Sequence, residues 1–179
     1  TSQALGGAIL EAWRASGGLS IFGFPLRGEQ IVGGRIVQWT ERARFELDLI
    51  GKTRSRIQLG RLGAEALEQR GIDWRALPTV GSAPSGCRYF AETRHSLCGD
   101  FLRYWETHGL ELNGRQSTSG AESLALFGYP ISEPHTITDV SGRQVLVQWF
   151  ERARFEHHPD NSNASQVQLS RLGAELLGE

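Results

Sequence analysis

Two stretches hold the side chains whose types and spacing could do chemistry: QWTERARFE at 38–46 and QWFERARFE at 148–156. Trp39, Glu41, Arg42 and Arg44 in the first match Trp149, Glu151, Arg152 and Arg154 in the second. Paired carboxylates suggest glycoside hydrolysis, which places them about 5–9.5 Å apart. Glu41 and Glu46 lie five residues apart, and an extended strand would separate them by roughly 16–17 Å. One copy alone therefore makes a poor hydrolytic pair, and only Glu41 facing Glu151 across an interface between the copies would restore it. The stronger structural reading is a ladder of Arg–Glu pairs across strands. A third use is ligand binding, because aromatic faces beside Arg and Glu suit glycans and a doubled site gains avidity on a polymer. These eight residues are the candidate binding set, although equivalent tryptophans in small repeats more often serve as core.

No other catalytic pattern stands out. The sequence contains no G-x-S-x-G, no H-E-x-x-H and no phosphate-cradling glycine loop. The histidines, His95, His108, His135, His157 and His158, have no histidine counterpart in the first half. His157 and His158 would point to opposite faces of a strand, which suits a metal poorly, so surface-loop positions are expected. Ser96 beside His95 lacks a third partner. Cys87 and Cys98 have neither CxxC spacing nor paired histidines nearby, and a loop-closing disulfide is expected instead of a metal site. No catalytic residue, metal or cofactor is assigned.

The elements that would position these residues also recur. LGRLGAE (59–65) returns as LSRLGAE (169–175), and each copy runs 18 residues from its ERARFE glutamate to that leucine. GGLSIFGFP (17–25) returns as HGLEL and LALFGYP, with extra residues in NGRQSTSGAES. Ordered matches at equal spacing indicate internal duplication. The expected fold is α+β: two tandem copies of a small helix–β-hairpin–helix module in a pseudo-two-fold arrangement. Unit one would cover 1–78, a Pro/Gly/Ser linker 79–86, and unit two 87–179 with a loop insertion near 113–123.

Each unit would open with an amphipathic helix. The first is stopped by Gly17-Gly18; the second is capped by Ser96 and Gly109. The 87–105 leader of unit two has no clear partner in unit one. Gly33-Gly34 between β-branched runs signals a hairpin, and a bend near Arg152-Ala153 lets Trp149 and Phe155 both reach the core.

A formal charge of −1 over 179 residues excludes a large basic excess, so nucleic acid is not an expected partner. No apolar run approaches the ~20 residues of a membrane span, so membrane insertion is not expected. The absence of methionine, even at position 1, suggests a chain that begins after a removed segment. With the cysteine pair, this predicts a secreted or cell-surface location.

The combination GGL..FGFP and HGLEL…LFGYPISEP, followed by an aromatic strand, resembles the LGFP-type repeats of secreted bacterial proteins. Phe22 and Phe127 stand where that motif carries leucine. The resemblance implies a non-catalytic module that helps anchor a surface protein to the cell envelope, with cell-wall polysaccharide or peptidoglycan as ligand. The alternatives are a protein-interaction, inhibitory or structural assembly module, and a hydrolase with its site between the repeats.

Overall fold

A computed structural model describes residues 3–48, 57–114, 117–139, 141–162 and 166–179. Among them are six α-helices and three antiparallel sheets. Helix α1 spans Gly7–Ala15, α2 Gly18–Phe22, α3 Leu62–Gln69, α4 Gly99–Thr107, α5 Gly120–Phe127 and α6 Leu172–Leu177. One four-stranded sheet runs β1 (Gln30–Val32), β2 (Arg35–Trp39), β3 (Arg44–Asp48), β4 (Ile57–Leu59) in that spatial order. The two-stranded sheet is the hairpin β5 (Arg88–Phe90) and β6 (His95–Leu97). The second four-stranded sheet runs β7 (His135–Thr138), β8 (Gln144–Trp149), β9 (Arg154–His157), β10 (Val167–Leu169).

Local sequence explains most of these elements. Gly33 and Gly34 both adopt positive φ (56° and 78°) and close the β1–β2 hairpin, a turn whose twist matches that of its strands. Helices α1 and α4 start at Gly7 and Gly99, again with positive φ (48° and 56°). Ile9 and Trp13 face inward from α1, as Phe101 and Trp105 do from α4. The Trp13 indole donates to the Gly23 carbonyl at 3.2 Å, and that of Trp105 to the Gly128 carbonyl at 3.3 Å. In α5, Ser119 and Glu122 form a reciprocal capping box.

The anticipated bend is present in both QW…FE stretches. The Thr40 amide donates to the Ala43 carbonyl and the Phe150 amide to the Ala153 carbonyl, each at 2.8 Å. Trp149 and Phe155 are both buried, but in different clusters. Trp149 pairs with Arg154 in the ladder while Gln148 pairs with Phe155, so the two aromatics face opposite sides of the sheet. The larger cluster draws from both halves of the chain: Phe22 and Phe45 share it with Trp105, Phe127, Phe150 and Phe155. Burying each such ring contributes about 1.5–3 kcal/mol. The smaller cluster joins α3 and α6 through Leu62, Leu67 and Leu172 around Trp149.

Several expectations need correction. Ser96 lies in β6, and Cys98 is the residue that precedes α4; its C-terminal cap is His108 rather than Gly109. After Gly17, most of GGLSIF forms the helix α2. Part of the expected 113–123 loop is the first turn of α5, because Ser119 supplies a cap; residues 115–116 lie outside the described residues. His95 is a buried strand residue, only 2% exposed, and His157 ends β9 opposite Asp100. Ala4 does for Gln38 what Ser96 does for Gln148, accepting a hydrogen bond from the side-chain amide at 2.8 Å.

Candidate functional site

The eight predicted residues sit at the two turns joining β2 to β3 and β8 to β9, and their contacts come in reciprocal pairs. The Glu41 carboxylate accepts from the Phe24 amide at 3.2 Å and from Arg171 at 2.8 Å. Glu151 accepts from the Tyr129 amide at 3.2 Å and from Arg61 at 2.8 Å. Arg42 donates to the Leu169 carbonyl at 3.1 Å, and Arg152 to the Leu59 carbonyl at 3.2 Å. Burial depresses the pKa of Arg152, with Glu151 opposing.

Arg44 and Arg154 face the other side. Arg44 forms a two-pronged pair with Glu65 at 2.7 and 2.8 Å and also bonds Glu46. Burial works against its charge, yet Glu65 and Glu46 outweigh it and raise the pKa. The Arg154 guanidinium likewise donates to Glu175 at 2.9 and 3.3 Å and to Glu156 at 3.0 Å, and adds the Ser170 hydroxyl at 2.6 Å. The two guanidiniums lie over Trp39 and Trp149, 5.0 and 4.9 Å from the ring centroids.

The repeated RLGAE stretches complete this arrangement. The Ala64 amide donates to the Glu151 carbonyl and the Ala174 amide to the Glu41 carbonyl, each at 3.1 Å. Helix α3 thus starts on the turn of the C-terminal half, and α6 on the turn of the N-terminal half. Between the turns, the space bounded by Phe22, Arg42, Ala43, Phe127, Arg152 and Ala153 amounts to about 10 Å³. That is about the volume of one water probe. This part of the seam is a packed contact and has no room for a substrate.

Elsewhere among the described residues, two open depressions are lined in part by the repeated blocks. A cleft of about 370 Å³ is lined by Trp74, Glu92, Thr93, Arg94, Tyr129 and Glu151, together with His95, Arg75 and Thr79. The hairpin that forms one wall is closed at its base by the Cys87–Cys98 disulfide, and Arg94 in its turn takes positive φ, 57°. The Tyr129 hydroxyl donates to Glu92 at 3.2 Å. The Thr93 hydroxyl oxygen is buried with no hydrogen-bond partner among the described residues. The 79–86 stretch is tied to the same hairpin, with the Val80 amide donating to the Arg94 carbonyl at 2.9 Å. The second depression, about 630 Å³, lies on the first sheet beside Trp39 and Arg44.

Of the eight predicted residues, only Glu151 lines the first cleft, and only Trp39 and Arg44 line the second. Sequence reading missed Trp74, Glu92, Arg94 and Tyr129 because they fall outside the repeated blocks or differ between copies. Tyr129 replaces Phe24 within the FGxP segment, and that substitution was the available signal.

No family model matches the chain, and no curated protein matches it significantly. Among the described residues no helix is long and apolar enough to cross a membrane.

Proposed function

We propose that the chain is a secreted or cell-surface tandem-repeat binding module for cell-wall polysaccharide or peptidoglycan. Its units would be 1–78 and 87–179, two copies of one helix–hairpin–helix plan related by a pseudo-two-fold axis. The reciprocal Arg61–Glu151 and Arg171–Glu41 pairs support that symmetry. The FGFP and FGYP segments, each ending a helix at a positive-φ glycine, support kinship with LGFP-type repeats. The Cys87–Cys98 disulfide supports an oxidising location.

The observation that carries the binding role is the Trp74–Tyr129 cleft. It sets two aromatic side chains beside exposed Glu92 and Arg94. A sugar offers apolar C–H faces for such rings and hydroxyls for such polar groups.

Pull-down on insoluble cell-wall preparations and glycan polymers at low salt tests the reading. Retention that falls in Glu92→Ala and Arg94→Ala variants is expected, since both side chains are exposed and their removal leaves the core intact. A chain retained on none of these polymers would remove the proposal.

A further inference from the structure

Arg94 lies in the turn of the β5–β6 hairpin and lines the Trp74–Tyr129 cleft. With φ at 57° it is, among the described residues, the one non-glycine residue in the left-handed region. A β-carbon crowds the backbone there, and glycine is the residue that fits best. The position is pinned from both sides. The Arg94 amide donates to the Phe90 carbonyl at 2.8 Å, and its carbonyl accepts from the Val80 amide at 2.9 Å. The Cys87–Cys98 disulfide closes the hairpin below. None of these bonds uses the side chain, and glycine would make them without the steric cost.

The side chain also has no partner. Other guanidiniums around the cleft are engaged. Arg75 pairs with Glu68 and Asp73 and lies 4.2 Å from the Trp74 ring centroid. Arg61 pairs with Glu151 and lies 5.3 Å from the same centroid. Glu92, two positions before Arg94, accepts from the Tyr129 hydroxyl at 3.2 Å. Among the described residues, Arg94 pairs with no carboxylate and lies over no ring. The residues outside that set include no aspartate or glutamate. The cleft's lining residues all fall between positions 74 and 151.

We propose that Arg94 is the anion-reading residue of this cleft, and that the glycan it takes carries a singly charged acidic group, a carboxylate or a phosphodiester. The inference rests on the binding role proposed above for the same cleft and names the class of glycan. The planar fork of N–H donors on a guanidinium matches either acidic group. Backbone bonds and the disulfide fix where the fork starts, so little order has to be gained on binding. A strained backbone position that holds an unpaired charge is accounted for by a ligand that pairs it. Glu92, already accepting from Tyr129, remains open to a glycan hydroxyl.

The test is retention of the intact protein at low salt on one cell-wall preparation in three forms: untreated, with its carboxylates amidated, and with its phosphodiesters removed by hydrofluoric acid. Wild-type retention should fall about threefold to tenfold on at least one treated form, and the form that loses it identifies the acidic group. Arg94→Gly should show a similar fall on untreated material and no further fall on that treated form. Its urea midpoint should match or exceed that of the wild type, because glycine suits this φ. A lower midpoint would mean that the side chain serves the hairpin, and would overturn the proposal. Equal wild-type retention on all three forms would overturn it too, as would equal retention of Arg94→Gly and wild type on untreated material; either result leaves glycan binding standing. Retention of the wild type on none of the forms would remove the binding role itself.

Discussion

Gly63 lies so close to the carbonyl oxygen of Phe150 that a β-carbon on it would stand 1.9 Å away. Gly173 stands in the same relation to Thr40, at 2.0 Å. Both obstacles are backbone and neither can swing aside. Gly63→Ala or Gly173→Ala should therefore cost about 3–5 kcal/mol by forcing the helix off the turn. Gly81→Ala, which meets nothing within 4 Å, should stay within about 0.5 kcal/mol. Urea denaturation of the three variants checks this; similar midpoints for all three would refute the seam as drawn.

The one difference between LGRLGAE and LSRLGAE makes a milder prediction. A β-carbon at Gly60 would approach the Arg44 guanidinium at 2.7 Å. That group is the end of a flexible side chain, and Arg154 shows where it can go, donating to the Ser170 hydroxyl. Gly60→Ser should therefore change stability by less than about 1 kcal/mol. A loss as large as that from Gly63→Ala would mean that Arg44 cannot re-seat.

Gln148 is fully buried and its amide donates to the Ser96 and Ser132 carbonyls at 2.8 and 2.9 Å. It ties the β5–β6 hairpin to the second large sheet. Gln148→Leu keeps the bulk but strands two carbonyls, and should cost about 2–3 kcal/mol. Hydrogen exchange should show faster opening of β6 in this variant; unchanged protection there would contradict the tie.

Reduction of Cys87–Cys98 releases an 11-residue separation and should lower stability by about 2–3 kcal/mol through the entropy of the unfolded chain. The comparison is denaturation of oxidised protein with a Cys87→Ser, Cys98→Ser double variant. Equal midpoints would show that the hairpin holds without its staple.

Acid should destabilise the fold through His95. Burial lowers its pKa, while Glu133, 3.2 Å from Nδ1, opposes the shift. The unfolded chain takes up the proton near the ordinary value of about 6.5 and the folded chain only at lower pH. The contribution of His95 is then fully present above about pH 6.5 and is lost as pH falls through the folded pKa. Thermal midpoints of the wild type should drop more steeply between about pH 7 and pH 5 than those of His95→Gln. Parallel slopes would rule out His95 as the source.

Much of this molecule was legible in the chain itself. The 3.6-residue spacing of Ile9 and Trp13, or of Phe101 and Trp105, gave the helices. Gly33-Gly34 gave the first hairpin, and the two cysteines gave the disulfide. These are local signals, fixed by backbone sterics and by short-range periodicity. The near-identity of the ERARFE blocks was legible too, as recurrence, but not what the recurrence serves. Only the tertiary structure brings RLGAE of each half onto the ERAR turn of the other, by contacts such as Arg61–Glu151 that link residues 90 positions apart. No local pattern encodes such a partner, because backbone-to-backbone approach and charge pairing between distant segments depend on how the sheets come together. The cleft at Trp74 and Tyr129 is likewise made by packing segments from both halves, and of its lining residues only Tyr129 and Glu151 lie in repeated stretches.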